Sequence, residues 1–258
     1  MNITDFSMNY FSLKGKNAVV TGGNTGLGQA FALALAKAGA NICVPGLSED
    51  GDSTKNLIEN EKVRYRFMKI DITEPGAPAR IIETCSKEFG STDILVNNAG
   101  VCINKDFSEF GREEWDRMMH VNLTAAFELS HEAAKGMIPG RSGKIINICS
   151  LFSFLGGRLS PAYASAKHGL VGLTKACCDE LGEYNIQVNG IAPGYYATEL
   201  TTMTRSNPET NNRVLEHIPA GRWGETSDLM GTVVFLASKA SDYVNGHILT
   251  VDGGYLVR

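Results

Sequence analysis

Residues 147–169, NICSLFSFLGGRLSPAYASAKHG, place a hydroxyl, a phenol and an ammonium in an order that indicates both a fold and a chemistry. The apolar run that ends at Cys149 predicts a buried parallel strand. Ser150 then lies at the carboxyl edge of the sheet, where open α/β sheets bind ligands. Tyr163 and Lys167 follow at the i,i+4 spacing that puts two side chains on one helical face. Because an ammonium favours ionisation of a nearby phenol, this stretch predicts a proton-transfer site.

The Tyr-x-x-x-Lys spacing is weak support by itself, because the chain contains it three times. Tyr10 and Lys14 lie in a polar N-terminal lead, and Tyr65 and Lys69 lie in an alternating, strand-like run. Only the third pair follows a serine at a strand end. The position of that pair after the strand, and not its spacing alone, therefore supports a catalytic role.

Length and composition predict a single domain over residues 1–258. At 43% hydrophobic content the chain can bury a large core, and no low-complexity linker or internal repeat divides it. A net charge of −4 argues against nucleic acid or an anionic membrane as a partner. No apolar run reaches membrane-spanning length, and the N-terminal lead contains Asp5 and no apolar core, so we expect a cytoplasmic location.

The histidines and cysteines do not indicate a metal site. The five histidines form no close-spaced cluster with cysteines or acids, and the six cysteines include no C-x-x-C pair. Most of the cysteines lie inside apolar segments, which is typical of reduced core residues. We therefore predict no bound metal and a set of reduced, buried thiols.

A glycine-rich turn follows the first predicted strand, Lys16–Val20, and leads into a helix that runs to about Ala38. The residues of the turn are Thr21, Gly22, Gly23, Asn24, Thr25, Gly26, Leu27 and Gly28. Glycines let the backbone approach a pyrophosphate, and a helix N-terminus offers free N–H groups, so the segment predicts a phosphate cradle. Its G-x-x-x-G-x-G spacing matches neither the G-x-G-x-x-G fingerprint nor the P-loop, and a glycine turn without a ligand is the alternative.

The second predicted strand, Asn41–Val44, bears on the choice of cofactor. Dinucleotide folds often carry an acid near the end of this strand to bind the adenosine ribose. Here Gly46 and the next two residues supply no acid, and no arginine or lysine follows to hold a 2′-phosphate. Because a phosphate dianion without a cation is costly to bury, the sequence favours NAD, with NADP left open.

The rest of the chain alternates predicted strands and helices. The third strand leads to Asp71 and Ile72, and the fourth ends in two amides and two small residues at 97–100. Residues 194–222 are polar and irregular and follow the sixth strand, where a substrate lid is expected. The predicted strands are Val63–Ile70, Asp93–Val96, Ile186–Ala192 and His247–Val251, and the predicted helices are Ala77–Phe89 and Ser227–Ser238.

Asn122 is a polar residue in a helix that is predicted to begin at about Glu113. The same helix carries Trp115, Met118 and Met119, which we expect to face the sheet with it. A buried amide must find hydrogen-bond partners. Two roles fit: a core amide that joins two strands, or a group that holds a water beside the ammonium of the Tyr-x-x-x-Lys pair.

Taken together, these motifs resemble the short-chain dehydrogenase/reductase family. The resemblance spans the whole chain and includes the interval from Ser150 to Tyr163. It implies a Rossmann-like, doubly wound, seven-stranded and mostly parallel sheet with helices on both faces, which binds NAD(H) or NADP(H). The motif residues are Thr21, Gly22, Gly26, Gly28, Asp71, Ile72, Asn97, Asn98, Ala99, Gly100, Asn122, Ser150, Tyr163, Lys167, Pro193, Gly194 and Thr198.

The resemblance also implies a role for each site residue. Tyr163 is the general acid/base, Ser150 hydrogen-bonds the substrate oxygen, and Asn122 anchors a relay water. Lys167 lowers the tyrosine pKa and holds the nicotinamide ribose. The implied reaction is reversible hydride transfer between the nicotinamide and a carbinol carbon, in a homodimer or homotetramer. Besides Tyr163 and Lys167, the implied cofactor residues are Thr21, Gly22, Asn24, Thr25, Gly26, Leu27, Gly28, Asp71, Ile72, Asn98, Ala99, Gly100, Pro193, Gly194, Tyr196 and Thr198.

Within the family, residues 218–231 and 240–246 are most similar to the bacterial 2-dehydro-3-deoxy-D-gluconate 5-dehydrogenases, also called 2-deoxy-D-gluconate 3-dehydrogenases. This likeness implies a sugar-acid substrate, whose carboxylate requires a cation. Arg158, Arg205, Arg213 and Arg222 are available from the two loops, and Arg158 and Arg205 are the candidates chosen for the substrate site. Gluconate 5-dehydrogenases, other polyol dehydrogenases and 3-oxoacyl-thioester reductases share the general motifs. A cofactor-sensing regulator without activity is the alternative from another class.

Overall fold

One sheet of seven parallel strands forms the centre of the computed structural model, which describes residues 3–49 and 51–258. The strand order is β3-β2-β1-β4-β5-β6-β7, and it reverses between β1 and β4, where an open α/β sheet forms its ligand crevice. The predicted doubly wound fold is confirmed, and the sheet is wholly rather than mostly parallel. The strands are β1 Asn17–Val20, β2 Asn41–Gly46, β3 Tyr65–Lys69, β4 Ile94–Asn97, β5 Gly143–Ile148, β6 Ile186–Pro193 and β7 Ile248–Val251.

Helices cover both faces of this sheet. One face packs against α1, α2 and α9, and the other packs against α3, α5 and α6. On the first face Phe31 and Leu35 of α1 are fully buried, and burying each stabilises the fold by roughly 1.5–3 kcal/mol. The helices are α1 Gly26–Lys37, α2 Ser53–Glu59, α3 Ala77–Phe89, α4 Arg112–Met119, α5 Ala125–Gly140, α6 Pro161–Leu181, α7 Thr202–Ser206, α8 Pro208–His217 and α9 Met230–Ala237.

A single widened turn of π-helix, His120–Thr124, joins α4 to α5. Such turns interrupt the regular backbone hydrogen bonds and often occur at functional sites. Met118 is fully buried as predicted, but Trp115 is 36% exposed, so the prediction that it faces the sheet is wrong. The Trp115 side chain is partly exposed although it lies one turn before Met118 on α4.

The prediction that residues 194–222 are irregular is wrong, because the segment contains α7 and α8. Pro208 occupies the first turn of α8, where a missing N–H is tolerated. The side-chain oxygen of Asn207 accepts hydrogen bonds from the backbone N–H groups of Glu209 at 3.0 Å and Thr210 at 3.2 Å. An N-cap followed by proline therefore starts a helix here.

Smaller departures concern element ends and cysteines. The predicted strand bounds differ from the structure by one or two residues, and the last helix is divided into a 3₁₀ turn, Thr226–Leu229, and α9. All six cysteines are free, but Cys102 is exposed and so is not a core residue. Across residues 3–49 and 51–258 no helix is long and apolar enough to cross a membrane. The same residues contain no cluster of three potential metal ligands among His, Cys, Asp and Glu.

Candidate active site

Ser150 stands two residues beyond the end of β5, at the carboxyl edge of the sheet. Its hydroxyl oxygen accepts a hydrogen bond from the backbone N–H of Phe152 at 3.2 Å, which starts a short 3₁₀ turn. The Ser153 hydroxyl in that turn accepts from the Ser150 backbone N–H at 3.1 Å and donates to the Lys167 carbonyl oxygen at 2.9 Å. Ser153 thus fastens the serine loop to α6. Sequence reasoning missed this residue, because nothing in the motif distinguishes it from a surface serine.

Lys167 of α6 is buried, at 4% exposure. Its Nζ donates to the carbonyl oxygen of Ile148, the last residue of β5, at 2.6 Å. Burial lowers the pKa of this ammonium to about 8, because water no longer solvates the charge. The lysine therefore fixes α6 against the strand end while keeping a cation under the site.

Tyr163 lies one turn before Lys167 on the same helix, as predicted. The Lys167 Nζ is 5.5 Å from the centre of the tyrosine ring, and Phe152 packs against the ring edge at 6.1 Å between centroids. Burial raises the pKa of Tyr163 to about 12, and a hydrogen bond with Ser150 acts in the opposite direction. Burial outweighs the Ser150 hydrogen bond, so the net shift of this pKa is upward, and a lowering of the pKa by the Lys167 ammonium stays a prediction.

Asn122 lies in the π turn and is 2% exposed. Its amide nitrogen donates to the carbonyl oxygens of Val101 and Met118, each at 2.9 Å. Its amide oxygen accepts from the Val101 backbone N–H at 3.2 Å. Both amide hydrogens are thus used, and the side chain joins the loop after β4 to α4 rather than joining two strands. Of the two roles considered for Asn122, these hydrogen bonds fit that of a core amide better. The role of holding a relay water stays a prediction.

The glycine-rich turn has the shape of a phosphate cradle. Gly22 and Gly26 have φ values of 61° and 51°, in the left-handed region that glycine enters readily. A Cβ on Gly28 would overlap the Gly22 carbonyl oxygen and would lie 2.5 Å from the Asn98 side-chain nitrogen. The Thr25 side chain does not cap α1, so it leaves the first N–H groups of that helix free to bind an anion. Leu27 is half-buried in the first turn of α1.

The turn after β4 is tied to this cradle. The Thr21 hydroxyl accepts from the backbone N–H groups of Asn98 and Ala99, each at 2.9 Å, and the Asn98 amide donates to the Thr21 carbonyl oxygen at 2.8 Å. A Cβ on Gly100 would lie 2.7 Å from the Asn122 amide oxygen. Residues 98–100 therefore lie between the cradle and Asn122, as a site that spans both segments requires.

Two residues that are distant in the sequence, Asn24 and Lys69, lie beside the end of β2. Asn24, 5% exposed, donates to the Ser48 carbonyl oxygen at 2.5 Å and so connects the cradle to the β2 loop. The register of β2 with β3 pairs Gly46 with Lys69. The loop after β2 itself contains no arginine or lysine, and the register adds Lys69 of the adjacent strand to this part of the edge.

Asp71 and Ile72 follow β3 at the same edge. The Asp71 carboxylate accepts from the backbone N–H of Thr73 at 2.9 Å and from its hydroxyl at 2.7 Å, and these hydrogen bonds lower the pKa of the acid. Ile72 is buried, at 8% exposure. Asp71 and Ile72 therefore lie at the carboxyl edge of the sheet, as the resemblance to the family implies.

At the end of β6, Pro193 and Gly194 lie at the edge and Tyr196 does not point into it. The Gly194 N–H donates to the Val251 carbonyl oxygen at 2.9 Å, and the Tyr196 hydroxyl donates to the same oxygen at 3.0 Å. Tyr196 is 5% exposed and burial raises its pKa beyond the ordinary range. Its side chain therefore secures the start of the lid to β7, and only its backbone remains available to a cofactor.

The two candidate carboxylate-binding arginines differ in placement. Arg205 of α7 donates to the Thr198 carbonyl oxygen at 3.0 Å and to the Thr201 hydroxyl at 3.3 Å, so its guanidinium braces the start of the lid. Arg158 is exposed in the loop between β5 and α6, and no ion pair involves it among residues 3–49 and 51–258. Of the two candidates, Arg205 therefore has its guanidinium held by hydrogen bonds within the lid, whereas Arg158 has no ion-pair partner among the described residues.

Comparisons with known proteins agree with this arrangement. A family model described as enoyl-(acyl carrier protein) reductase matches residues 22–256. The chain is 67% identical to the "Uncharacterized oxidoreductase YgcW" of Escherichia coli K12, over 100% of this chain and 98% of the relative. It is 47% identical to the 2-dehydro-3-deoxy-D-gluconate 5-dehydrogenase of Bacillus subtilis, over 96% of this chain and 97% of that protein.

A solved structure from Agrobacterium tumefaciens has the same architecture. It is described provisionally as a 2-deoxy-D-gluconate 3-dehydrogenase with bound NADP and is 44% identical to this chain. The match covers 97% of this chain and 100% of the other, with a TM-score of 0.91. The chain therefore belongs to the short-chain dehydrogenase/reductase family.

Proposed function

We propose that the protein is a nicotinamide-dependent dehydrogenase that interconverts a hydroxyl and a keto group of a sugar acid. The observation that carries this proposal is the placement of Ser150, Tyr163 and Lys167 at the same sheet edge as a glycine cradle. A regulator that only senses the cofactor does not require a phenol, a hydroxyl and a buried ammonium beside the binding crevice. The sugar-acid relatives support the substrate class.

The residues of the crevice fit a dinucleotide. The backbone around Gly28 leaves no room for a side chain at that position of the cradle. The N-terminus of α1 lies at the cradle, and its N–H groups and positive dipole end favour a phosphate there. When bound there, the nicotinamide would supply or accept the hydride. Asn98, Asp71 and Pro193 lie around the same edge as the resemblance requires.

Proton transfer in this proposal belongs to Tyr163. With a pKa near 12 the phenol is protonated at neutral pH, so it is ready to donate a proton to a carbonyl oxygen during reduction. In oxidation it must accept a proton, and the Ser150 hydrogen bond favours its ionised form. The Lys167 ammonium, 5.5 Å from the centre of its ring, is the cation available to favour that form as well. The Ser150 hydroxyl is also placed to hydrogen-bond the reacting oxygen. We propose that Arg158 binds the substrate carboxylate, since its guanidinium is exposed beside this loop.

The test is nicotinamide absorbance with purified protein and 2-deoxy-D-gluconate, with NAD⁺ and NADP⁺ in parallel, and with 2,5-didehydro-3-deoxy-D-gluconate in the reducing direction. We expect turnover that falls by about 10²–10⁴ in Tyr163→Phe. The control is Tyr243→Phe, because Tyr243 is fully exposed. Arg158→Met should raise the KM for the sugar acid and leave cofactor binding unchanged. Faster turnover of an acetoacetyl thioester than of either sugar acid would contradict the substrate class.

The choice between NAD and NADP is a separate part of the proposal. The loop after β2 contains no arginine or lysine, which is the basis for expecting NAD. Lys69 on β3 is a cation that this expectation did not include. The dehydrogenase reaction itself requires only a nicotinamide dinucleotide, and parallel assays with the two cofactors measure the preference directly.

We also propose a cytoplasmic homo-oligomer, a dimer or a tetramer. Apolar side chains on the outer side of α5 and just before α4 support an interface between copies, since Phe127 is 51% and Phe107 is 82% exposed. Light scattering coupled to size-exclusion chromatography measures the subunit number. A monomer at micromolar concentration would contradict this part of the proposal.

A further inference from the structure

Lys69 lies beside the end of β2, although 23 positions separate it from Gly46 in the chain. The two residues are partners in the parallel register, and the Ile70 N–H donates to the Gly46 carbonyl oxygen at 2.9 Å. Partners on neighbouring strands are about 4.8 Å apart. A lysine side chain at this position therefore reaches the same part of the carboxyl edge as the β2 loop.

The alternation of side chains places Lys69 on the face of the sheet that carries α1. Tyr65 and Phe67 pack into the cluster that contains α1, whereas Met68 and Ile70 pack into the cluster on the opposite face. Since successive strand residues point to opposite faces, Lys69 shares the face of Tyr65 and Phe67.

A side chain at the position of Gly46 would point to this same face of the sheet. A Cβ on Gly46 would lie 3.3 Å from the Phe67 ring and 2.8 Å from the Asn24 amide oxygen. The cradle residue Asn24, the end of β2 and Lys69 are therefore grouped on one side of the sheet. A larger residue at Gly46 would collide with Asn24, so the end of β2 and the cradle are in close contact on this face.

The other basic residues of this strand region are engaged elsewhere. Arg66 faces the opposite side and lies 3.9 Å from Glu88, and Arg64 donates to the carbonyl oxygens of Glu88 and Phe89 at the amino end of the sheet. Lys69 is exposed, and the structure gives it no hydrogen bond or ion pair with any of residues 3–49 or 51–258. The Asp71 carboxylate is held by Thr73 and does not neutralise it.

The end of β2 is where a dinucleotide fold meets the adenosine ribose, whose 2′ position distinguishes NAD from NADP. An acid there binds the free 2′-hydroxyl and repels a phosphate, and this chain ends β2 in glycine. Accepting the nicotinamide-dependent function proposed above, we propose that Lys69 receives the 2′-phosphate of NADP(H), so that the cation for this phosphate comes from β3 instead of from the β2 loop. Glu49, which is exposed in the loop after β2, is the acid that lies nearest to Gly46 in the sequence.

The test compares dissociation constants of NADPH and NADH for Lys69→Met and for a matched control, Lys87→Met. Lys87 is an exposed lysine near the end of α3, at the amino edge of the sheet. Removing one charge-assisted contact to phosphate should weaken NADPH binding by about tenfold. NADH binding should change less than about twofold, as should both cofactors in the control. Fluorescence titration of the folded protein gives these constants without turnover.

Two further arms identify the phosphate as the group that is recognised. Adenosine 2′,5′-bisphosphate should compete with NADPH more strongly than 5′-AMP in the wild type, and this advantage should be lost in Lys69→Met. Lys69→Arg keeps the charge and should retain NADPH binding, which also shows that the position tolerates substitution.

An equal loss of NADPH and NADH in Lys69→Met, or no loss of either, would overturn the role of Lys69 while leaving the dehydrogenase intact. A wild type that binds NADH and not NADPH would overturn it as well. Failure of the wild type to bind either dinucleotide would instead contradict the proposed function.

Discussion

Replacing Lys167 with methionine should stabilise the protein at neutral pH and abolish its turnover. The side chain is 4% exposed, and the Ile148 carbonyl oxygen is its hydrogen-bond acceptor at 2.6 Å. Burial lowers its pKa from 10.5 to about 8, which corresponds to a cost of about 3 kcal/mol for the charged form in the native state. Loss of the hydrogen bond costs about 1 kcal/mol. We therefore expect the free energy of unfolding to rise by about 2 kcal/mol at pH 7.

The effect should depend on pH with a definite sign. Below pH 8 the lysine is charged in both the native and the unfolded state, so the full cost of burial is present. Between about 8 and 10.5 the unfolded chain still binds a proton that the native protein has released, so wild-type stability rises with pH relative to the variant. The advantage of Lys167→Met should therefore disappear by about pH 10.

The assay is urea unfolding, followed by circular dichroism and tryptophan fluorescence at one protein concentration, at pH 7 and pH 10. Lys175→Met is the matched control, because Lys175 is an exposed lysine on the same helix, and it should change stability by less than about 0.5 kcal/mol. A Lys167→Met protein less stable than the wild type at pH 7 would refute the reasoning from burial. So would an advantage of equal size at both pH values.

Three other substitutions test the surroundings of the site. Gly28→Ala should weaken cofactor binding in a fluorescence titration and destabilise the protein by about 1–3 kcal/mol, because the new Cβ overlaps the Gly22 carbonyl oxygen. Asn122→Ala should cost about 2–3 kcal/mol in urea unfolding, since it leaves the N–H and the carbonyl oxygen of Val101 without their partner. Arg205→Met should speed amide hydrogen exchange in residues 199–206 while leaving global stability within about 0.5 kcal/mol, because this guanidinium braces only the start of the lid.

For each of these three substitutions, one outcome would contradict the expectation. Normal cofactor affinity in Gly28→Ala would show that the cradle relaxes around a side chain or that the cofactor binds elsewhere. Unchanged stability in Asn122→Ala would mean that water replaces the amide at no cost. A large rise in KM for a sugar acid, with unchanged exchange, in Arg205→Met would return the carboxylate contact to Arg205.

Features that depend on neighbours in the chain could be read from the sequence. The i,i+4 spacing of Tyr163 and Lys167 puts them on one face of α6, and Ser150 lies just past its strand, because helix and strand periodicities are local geometry. Helix α3 has its predicted bounds, Ala77–Phe89, since its apolar period and its flanking glycine are both local signals. Helix α8 was not predicted, although its start signal, an N-cap at Asn207 followed by Pro208, is also local.

The pKa values and the charge environment were decided only by the tertiary structure. Helical spacing brings an ammonium near the Tyr163 ring, but the burial of the phenol determines that its pKa is raised. Likewise, no lysine or arginine follows Gly46 closely in the sequence, but Lys69, 23 residues later, is its partner in the parallel register. Solvation and register are set by what packs across the sheet, so the sequence by itself determined which groups reach the carboxyl edge, and the fold decided which of them meet there and in what charge state.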